Sequence, residues 1–185
     1  IAMGTIYLFL AEGFEEVEAL SVVDIVRRAG LSIKSVSVTG QETVTSSHGV
    51  NIKADMLFDA EAICQDAEML VLPGGLPGAT NLAAHEGLRK VLLGFCAAER
   101  PLAAICAAPM VYGQLGLLKG KNATCYPGFE KYMEGAHATG AMVEQDGNFI
   151  TGKGPGAAFD FGFAIVTKLA GKAKADEVKA GMLLA

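Results

Sequence analysis

The chain has 185 residues, of which 51% are hydrophobic and 19% are charged, and its net charge is −5. This length and composition predict one folded domain with a sizeable core and argue against disorder, and the acidic charge argues against a nucleic-acid partner. No apolar run approaches the roughly 18 residues of a membrane span, and the opening segment lacks the pattern of a secretory signal. We therefore expect a single domain over residues 3–185, located in the cytoplasm, with no nucleic-acid or membrane partner.

Strand-like and helix-like segments alternate along the chain. Short apolar or alternating runs predict strands at residues 7–11, 32–39, 69–72, 102–105 and 123–125. Helical spacing of apolar residues predicts helices at residues 16–29, 86–98, 107–117, 156–169 and 174–184. Two hairpins are predicted, at residues 44–54 and 142–151. This alternation predicts an α/β fold in which a mostly parallel sheet is covered by helices on both faces.

A cysteine follows one of the predicted buried strands directly. The segment Ala103-Ala104-Ile105-Cys106-Ala107-Ala108-Pro109 places Cys106 between a strand and a helix, which is the layout of a nucleophile elbow. A helix that begins there favours the thiolate, and small neighbours leave room for the tight turn. The alternative is a buried structural cysteine, which we prefer for Cys64, Cys96 and Cys125. We therefore predict that Cys106 is the reactive thiol, with a pKa well below the roughly 8.5 of a free cysteine.

One acid of the first helix is not explained by its place near the helix start. At about 100° per residue, Glu18 lies on the same stripe as Val22, Ile25 and Ala29. A carboxyl on an apolar stripe must be paired, or protonated with a raised pKa. Beside a thiolate, a protonated Glu18 would donate a charge-assisted hydrogen bond.

A glycine-rich loop follows the predicted strand at residues 69–72, and it is the third segment of interest after those of Cys106 and Glu18. The loop has the sequence Leu72-Pro73-Gly74-Gly75-Leu76-Pro77-Gly78. Its glycines allow backbone N–H groups to approach a ligand. The alternative is that the glycines serve only to form a tight turn. The loop lacks the spacing of a P-loop or a dinucleotide fingerprint. The cysteines show no CxxC spacing and the histidines form no ligand pair, so we predict no metal or cofactor and reduced thiols.

These loops, in this order and spacing, resemble the DJ-one (ThiJ/PfpI) family. The resemblance runs from Thr5 to nearly the end of the chain, and it is carried by residues 15–18, 22–24, 27–30, 72–75, 104–107 and 154–156. It implies a flavodoxin-like three-layer sandwich, usually a homodimer, with a cofactor-free site. In that site Cys106 would be the nucleophile and redox thiol, and Glu18 its protonated partner. The remaining implied site residues are Gly75 and Ala107 as backbone donors, and Glu15, Gly74, Tyr126 and Pro127 near the substrate.

Two positions separate this sequence from branches of that family. Ala107 stands where the protease-like branch has a histidine after the nucleophile, which argues against a cysteine peptidase. Tyr126 stands before Pro127 where the animal deglycase branch has a histidine, so the pattern is closer to the bacterial YajL-like branch. Tyrosine is a poor general base near neutral pH, which leaves Glu18 as the best candidate for proton transfer.

The resemblance leaves two main functions open. One is a glyoxalase or protein deglycase in which Cys106 adds to a small dicarbonyl such as methylglyoxal, or to an early glycation adduct of a protein. The other is a redox sensor or chaperone in oxidative stress that works through oxidation of Cys106. An older thiazole-biosynthesis label of some bacterial members is a less favoured alternative.

Overall fold

The computed structural model describes residues 3–184. Its strands, in chain order, are Thr5–Leu10 (β1), Ile33–Ser37 (β2), Thr43–Thr45 (β3), Asn51–Lys53 (β4), Met56–Leu57 (β5), Ala67–Leu72 (β6), Leu102–Ile105 (β7), Asn122–Ala123 (β8), His137–Ala138 (β9), Val143–Asp146 (β10) and Phe149–Gly152 (β11). Its α-helices are Glu16–Arg28 (α1), Ala60–Asp66 (α2), Gly78–Ala84 (α3), Glu86–Ala97 (α4), Pro109–Gln114 (α5), Ala158–Ala170 (α6) and Lys172–Gly181 (α7). Short 3-10 turns lie at Glu130–Tyr132 and Pro155–Ala157. None of the helices within residues 3–184 is long and apolar enough to cross a membrane.

Seven strands form the central sheet in the order β10-β11-β7-β6-β1-β2-β5. All neighbouring pairs are parallel except the β10–β11 hairpin. Helices α1, α6 and α7 contribute to the core on one face, and α2 to α5 contribute to the core on the other. The predicted flavodoxin-like, three-layer α/β sandwich is therefore confirmed.

The unbroken apolar runs of the strands are explained by burial on both faces of the sheet. Every residue of β1 is buried, and its side chains alternate between the two cores, with Tyr7 and Phe9 on one side and Ile6, Leu8 and Leu10 on the other. A strand covered by helices on both faces has no solvated side, so it has no polar alternation.

Several predicted boundaries are wrong. The helix predicted at residues 107–117 is only α5, because a turn precedes Pro109 and Gly116 adopts φ +74° just after the helix. The last helix begins at Lys172 and ends at Gly181, rather than spanning residues 174–184. Helices α2 and α3 were not predicted at all. The end of the predicted domain, Ala185, lies outside the described residues.

The carboxyl ends of β1, β6 and β7 bring the three singled-out loops together. The backbone N–H of Glu15, after β1, donates to the carbonyl of Gly74, after β6, at 2.9 Å. A Cβ on Gly74 would lie 2.6 Å from the Cβ of Cys106, which follows β7. The three loops therefore form one site at this edge of the sheet, as expected for parallel α/β sheets.

Candidate active site

Cys106 adopts a backbone conformation that is uncommon for any residue except glycine. Its φ is +68°, so the chain turns sharply between β7 and α5. The strained turn is held by its own backbone groups: the N–H donates to Gly152 at 2.9 Å, and the carbonyl accepts from Tyr126 at 2.8 Å. The residue is 8% exposed, so it is largely buried. The predicted elbow is present. Of the three cysteines predicted to be buried and structural, Cys125 is buried and Cys96 is partly exposed, but the prediction is wrong for Cys64, which is exposed.

Glu18 lies on the first turn of α1 and is completely buried. Its Oε1 accepts a hydrogen bond from the backbone N–H of Gly74 at 3.0 Å. Its Oε2 is buried and has no hydrogen-bond partner within the described residues. The carboxyl lies close enough to the thiol of Cys106 for each group to shift the pKa of the other. Oε2 is therefore a buried oxygen that is free to carry a proton.

Gly74 lets these two groups approach each other. A Cβ on Gly74 would lie 2.8 Å from Oε1 of Glu18 and 2.8 Å from the carbonyl oxygen of Ile105, in addition to its clash with Cys106. The adjacent Gly75 has φ +90° and packs as closely against the backbone of residues 13–15. The glycines of this loop are therefore required by the space between the three loops.

We expect Gly74→Ala to lower the free energy of unfolding by about 1–3 kcal/mol, because the added methyl group overpacks the site. It should also slow alkylation of Cys106 by displacing the thiol. The matched control is Gly94→Ala on α4, where a Cβ meets nothing within 4 Å and alanine favours the helix. Urea unfolding of both variants and the wild type tests this, and a Gly74→Ala protein as stable as Gly94→Ala would contradict it.

The thiol and the carboxyl oppose each other's ionisation. Burial, together with the nearby carboxylate of Glu15, raises the pKa of Glu18 to about 7. Burial also raises the pKa of the Cys106 thiol, and so does Glu18 when it is ionised. Hydrogen bonds from the backbone N–H groups of Gly75 and Ala107 act in the other direction and lower the thiol pKa.

The prediction of a thiol pKa well below that of a free cysteine is therefore wrong for the state in which Glu18 is ionised. The sequence argument counted the favourable position at a helix start and omitted the cost of burying the thiolate. An acidic thiol needs the proton to stay on Glu18, so that one negative charge, rather than two, occupies the site. The two groups form a coupled pair.

Glu15 supports this pair from the helix start. Its Oε2 caps α1 by accepting from the backbone N–H of Glu18 at 2.7 Å, and the residue is only 7% exposed. This is a structural role that also places a carboxylate next to Glu18. The expected position of Glu15 near the substrate stays a prediction.

His48 is a neighbour of the site that sequence reasoning missed. Its Nδ1 lies 2.9 Å from Oε1 of Glu16 and 3.9 Å from Oε1 of Glu15. These three side chains could geometrically surround a cation, although His48 and Glu16 already satisfy each other. The contact spans 32 positions in the sequence, and no local pattern marks it. Within residues 3–184, no other group of three or more histidine, cysteine, aspartate or glutamate side chains brings its ligand atoms within 4.8 Å of one another.

Tyr126 and Pro127 follow the site along the chain and are exposed. The ring of Tyr126 lies against Gly154, where a Cβ would approach it to 3.3 Å, and its backbone N–H fixes Cys106. Tyr126 therefore borders the site, and Pro127 lies in the loop beyond it. Contact of either side chain with a substrate stays a prediction.

The sequence and the fold are similar to those of known proteins. Residues 4–168 match the model of the DJ-1/PfpI family. The chain belongs to the DJ-1/PfpI family. It is 38% and 36% identical to the DJ-1 homologs B and A of Arabidopsis thaliana, over 95% and 97% of this chain, and it spans 40% and 46% of their lengths. It is also 31% identical to a protein of Pyrococcus horikoshii named deglycase, over 80% of this chain and 89% of that protein.

A solved DJ-1/PfpI structure has the same fold over nearly the full described length. The structure described as oxidized DJ-1 of Toxoplasma gondii superposes with a TM-score of 0.92 at 32% identity, covering 98% of this chain and 99% of that one. These comparisons establish the family and the fold.

Proposed function

We propose that this DJ-1/PfpI protein is a cofactor-free, cysteine-dependent glyoxalase and protein deglycase that acts on methylglyoxal or on its early adducts. The observation that carries the proposal is the completely buried carboxyl of Glu18, which lies near the Cys106 thiol and has one oxygen, Oε2, without a hydrogen-bond partner within the described residues. A nucleophile with one positioned proton carrier is what aldehyde addition followed by proton transfer needs. The name of the Pyrococcus relative is consistent with it.

In the first step, the Cys106 thiolate adds to the aldehyde carbon of methylglyoxal. The carbonyl bond opens, the new oxyanion takes the proton of Glu18, and a hemithioacetal results. The backbone N–H groups of Gly75 and Ala107, which stabilise the thiolate, are placed to stabilise the developing negative charge as it moves to oxygen.

In the second step, the Glu18 carboxylate removes the C1 proton to give an enediolate and returns a proton to C2, while the hydroxyl proton on the C1 oxygen passes to the C2 oxygen. The former aldehyde carbon becomes a thioester and the former ketone carbon becomes a secondary alcohol, so no external oxidant is needed. Water then hydrolyses the lactoyl thioester, releases lactate and restores the thiol. In deglycation, the Cys106 thiolate displaces the protein amine or thiol from the aminocarbinol or hemithioacetal carbon of the early adduct. The leaving group takes the proton of Glu18, and the same hemithioacetal on Cys106 results.

The test is formation of lactate from methylglyoxal by fresh, fully reduced protein, followed by an enzymatic lactate assay. We expect lactate in proportion to protein concentration, together with release of free amine from a methylglyoxal-treated lysine peptide. Consumption of methylglyoxal without lactate would mean that the thiol only traps the aldehyde, and it would contradict the proposal.

A redox function of the same thiol is the second candidate, because the backbone N–H groups of Gly75 and Ala107 that hold the sulfur would also hold its oxygens. The solved Toxoplasma relative is described as oxidized. In a reducing cytoplasm, the four free thiols would start in the reduced state. Chaperone action and a role in oxidative stress belong to this candidate.

We expect mild peroxide to convert Cys106 to a sulfinic acid, with a gain of two oxygen atoms in its peptide. The thiolate attacks one peroxide to give a sulfenic acid, and the sulfenate attacks a second peroxide to give the sulfinic acid; each attack breaks an O–O bond, transfers one oxygen and releases water or hydroxide. Peptide mass spectrometry measures this, with Cys64 as an exposed internal control. Loss of two hydrogens shared between the Cys106 and Cys125 peptides would instead indicate a disulfide and contradict the prediction.

We also propose that the chain belongs to the YajL-like branch of the family, on the basis of Ala107 and Tyr126.

The proposal further includes a homodimer. DJ-1/PfpI proteins are generally dimeric. The outer face of α1 and the start of α6 carry exposed apolar side chains, Val17 at 49% and Phe159 at 44%, which line a 520 Å³ cavity together with Leu184. A second copy would remove this apolar surface from water.

We expect light scattering to give twice the 19.2 kDa mass of the chain. Phe159→Asp should reduce it to the monomer mass, because a carboxylate would be buried in the interface. Leu93→Asp is the matched control, since Leu93 is a comparably exposed apolar residue on α4. A monomeric wild type, or an equal effect of both variants, would contradict this part of the proposal.

A further inference from the structure

The first turn of α1 concentrates carboxyl groups beside the reactive thiol. Glu15 and Glu18 are 7% and 0% exposed, and the side chain of Glu16 is 17% exposed. Each carboxylate in such a dry site opposes a further negative charge, including that of the Cys106 thiolate. A cation next to this turn would therefore favour the thiolate.

The β3–β4 hairpin carries a titratable cation to this turn. The backbone N–H of Ser47 donates to the carbonyl of Phe14 at 2.8 Å, and that of Gly13 donates to Thr45 at 2.9 Å. These bonds fix the hairpin to the loop that precedes α1. The docked hairpin therefore places the imidazole of His48 next to Glu15 and Glu16, although the His48 side chain is 68% exposed.

His48 is the cationic partner that the structure gives to Glu15 and Glu16 within residues 3–184. Two carboxylates face the imidazole from α1, and the Ser47 hydroxyl lies 3.3 Å from Nδ1 on its own turn. The hydrogen bond and the charge of Glu16 raise the pKa of His48 above its usual 6.5. Its positive charge is therefore kept to a higher pH than that of an unpaired histidine, and it is lost as the pH rises further.

We propose that His48 is a positioning residue whose charge sets the reactivity of the Cys106 thiol by acting through Glu15 and Glu16. When it is protonated, the imidazolium offsets their carboxylates and weakens their repulsion of a negative charge on Cys106. When it is neutral, the carboxylates act unopposed and the thiolate is disfavoured. The inference rests on the proposed function only in taking Cys106 as the reactive thiol.

The effect is expected to be modest, because His48 is exposed and acts through intervening groups. A screened charge of this kind should change the rate of thiol alkylation by about threefold. The change should shrink in concentrated salt, since the carboxylates and the imidazole are partly accessible to ions.

The experiment compares the wild type with His48→Asn, which is neutral, and His48→Arg, which is charged throughout the pH range. The rate constant for alkylation of Cys106 by iodoacetamide is measured by peptide mass at about pH 6 and about pH 9. The buffers contain EDTA, because a divalent cation between the three side chains would supply the same charge. Lys53→Gln is the matched control: it removes a cation from the same hairpin, where Lys53 pairs with Glu42 at 3.5 Å.

At about pH 6 we expect His48→Arg to match the wild type and His48→Asn to react about threefold more slowly. At about pH 9 we expect the wild type to match His48→Asn and His48→Arg to react about threefold faster. A merely structural role would displace both variants in the same direction at both pH values. That result, or unchanged rates in both variants, would overturn the proposal.

The two proposals can fail separately. Alkylation reports the thiol without any turnover, so absence of lactate in the wild type would contradict the glyoxalase function and leave the His48 result standing. Thermal unfolding midpoints confirm that the variants are folded. If His48→Asn does not fold, comparing His48→Arg with the wild type at about pH 9 still decides the matter.

Discussion

Replacing Cys106 with serine is expected to lower kcat/KM for lactate formation from methylglyoxal by at least about a thousandfold. Serine keeps the shape of the buried side chain, so the strained turn and its two backbone hydrogen bonds remain. It removes the nucleophile, because a hydroxyl is not ionised near neutral pH. The measurement is the lactate assay at several substrate concentrations.

The matched control for that variant is Cys64→Ser, which alters an exposed thiol of the same chain. We expect it to keep wild-type kcat/KM. If Cys106→Ser retains more than roughly a tenth of the activity, or if Cys64→Ser loses as much, the chemistry takes place at another group.

Glu18→Gln is expected to remove a pH-dependent loss of stability from the wild type. Folding raises the pKa of Glu18 from 4.5 to about 7, so the native state holds this proton more tightly than the unfolded state. The resulting stabilisation is complete below pH 4.5 and is lost as the pH rises through about 7. From about pH 4 to about pH 8, the free energy of unfolding of Glu18→Gln should therefore gain about 3 kcal/mol relative to the wild type.

Urea unfolding at several pH values measures this difference. Glu86→Gln is the matched control, since it removes an exposed acid from the first turn of another helix, α4. Its difference from the wild type should stay nearly constant with pH. If the difference in free energy of unfolding between Glu18→Gln and the wild type is also constant with pH, folding does not raise the pKa of Glu18. The carboxyl then does not hold a proton beside the thiol, and the prediction is contradicted.

The layered fold was predictable because burial on both faces leaves a strong signal. Strands such as Leu102–Ile105 are short apolar runs, and α1 carries acids at its start and arginines at its end. The short helices carry much weaker signals. Helix α3 has seven residues and begins at Gly78 in a glycine-rich loop, so the sequence indicates a turn there.

Glu18 and Cys106 could be predicted from the sequence because each is unusual for its position in a helix or after a strand. Glu18 places a carboxyl on an apolar stripe, and Cys106 follows a buried strand without any spacer. Two features depend on three-dimensional contact and could not be predicted. The burial that raises the thiol pKa comes from the packing of the three loops, and His48 reaches Glu16 only when the β3–β4 hairpin docks on α1.

The central claim is that a proton on Glu18 stabilises the thiolate of Cys106. It is tested most directly by titrating the ultraviolet thiolate absorbance in a background where serine replaces Cys64, Cys96 and Cys125. We predict two coupled steps in the wild type, one step in Glu18→Gln, which keeps a donor, and one step at higher pH in Glu18→Leu, which keeps neither donor nor charge. Identical thiol pKa values in Glu18→Gln, Glu18→Leu and the wild type would contradict the claim.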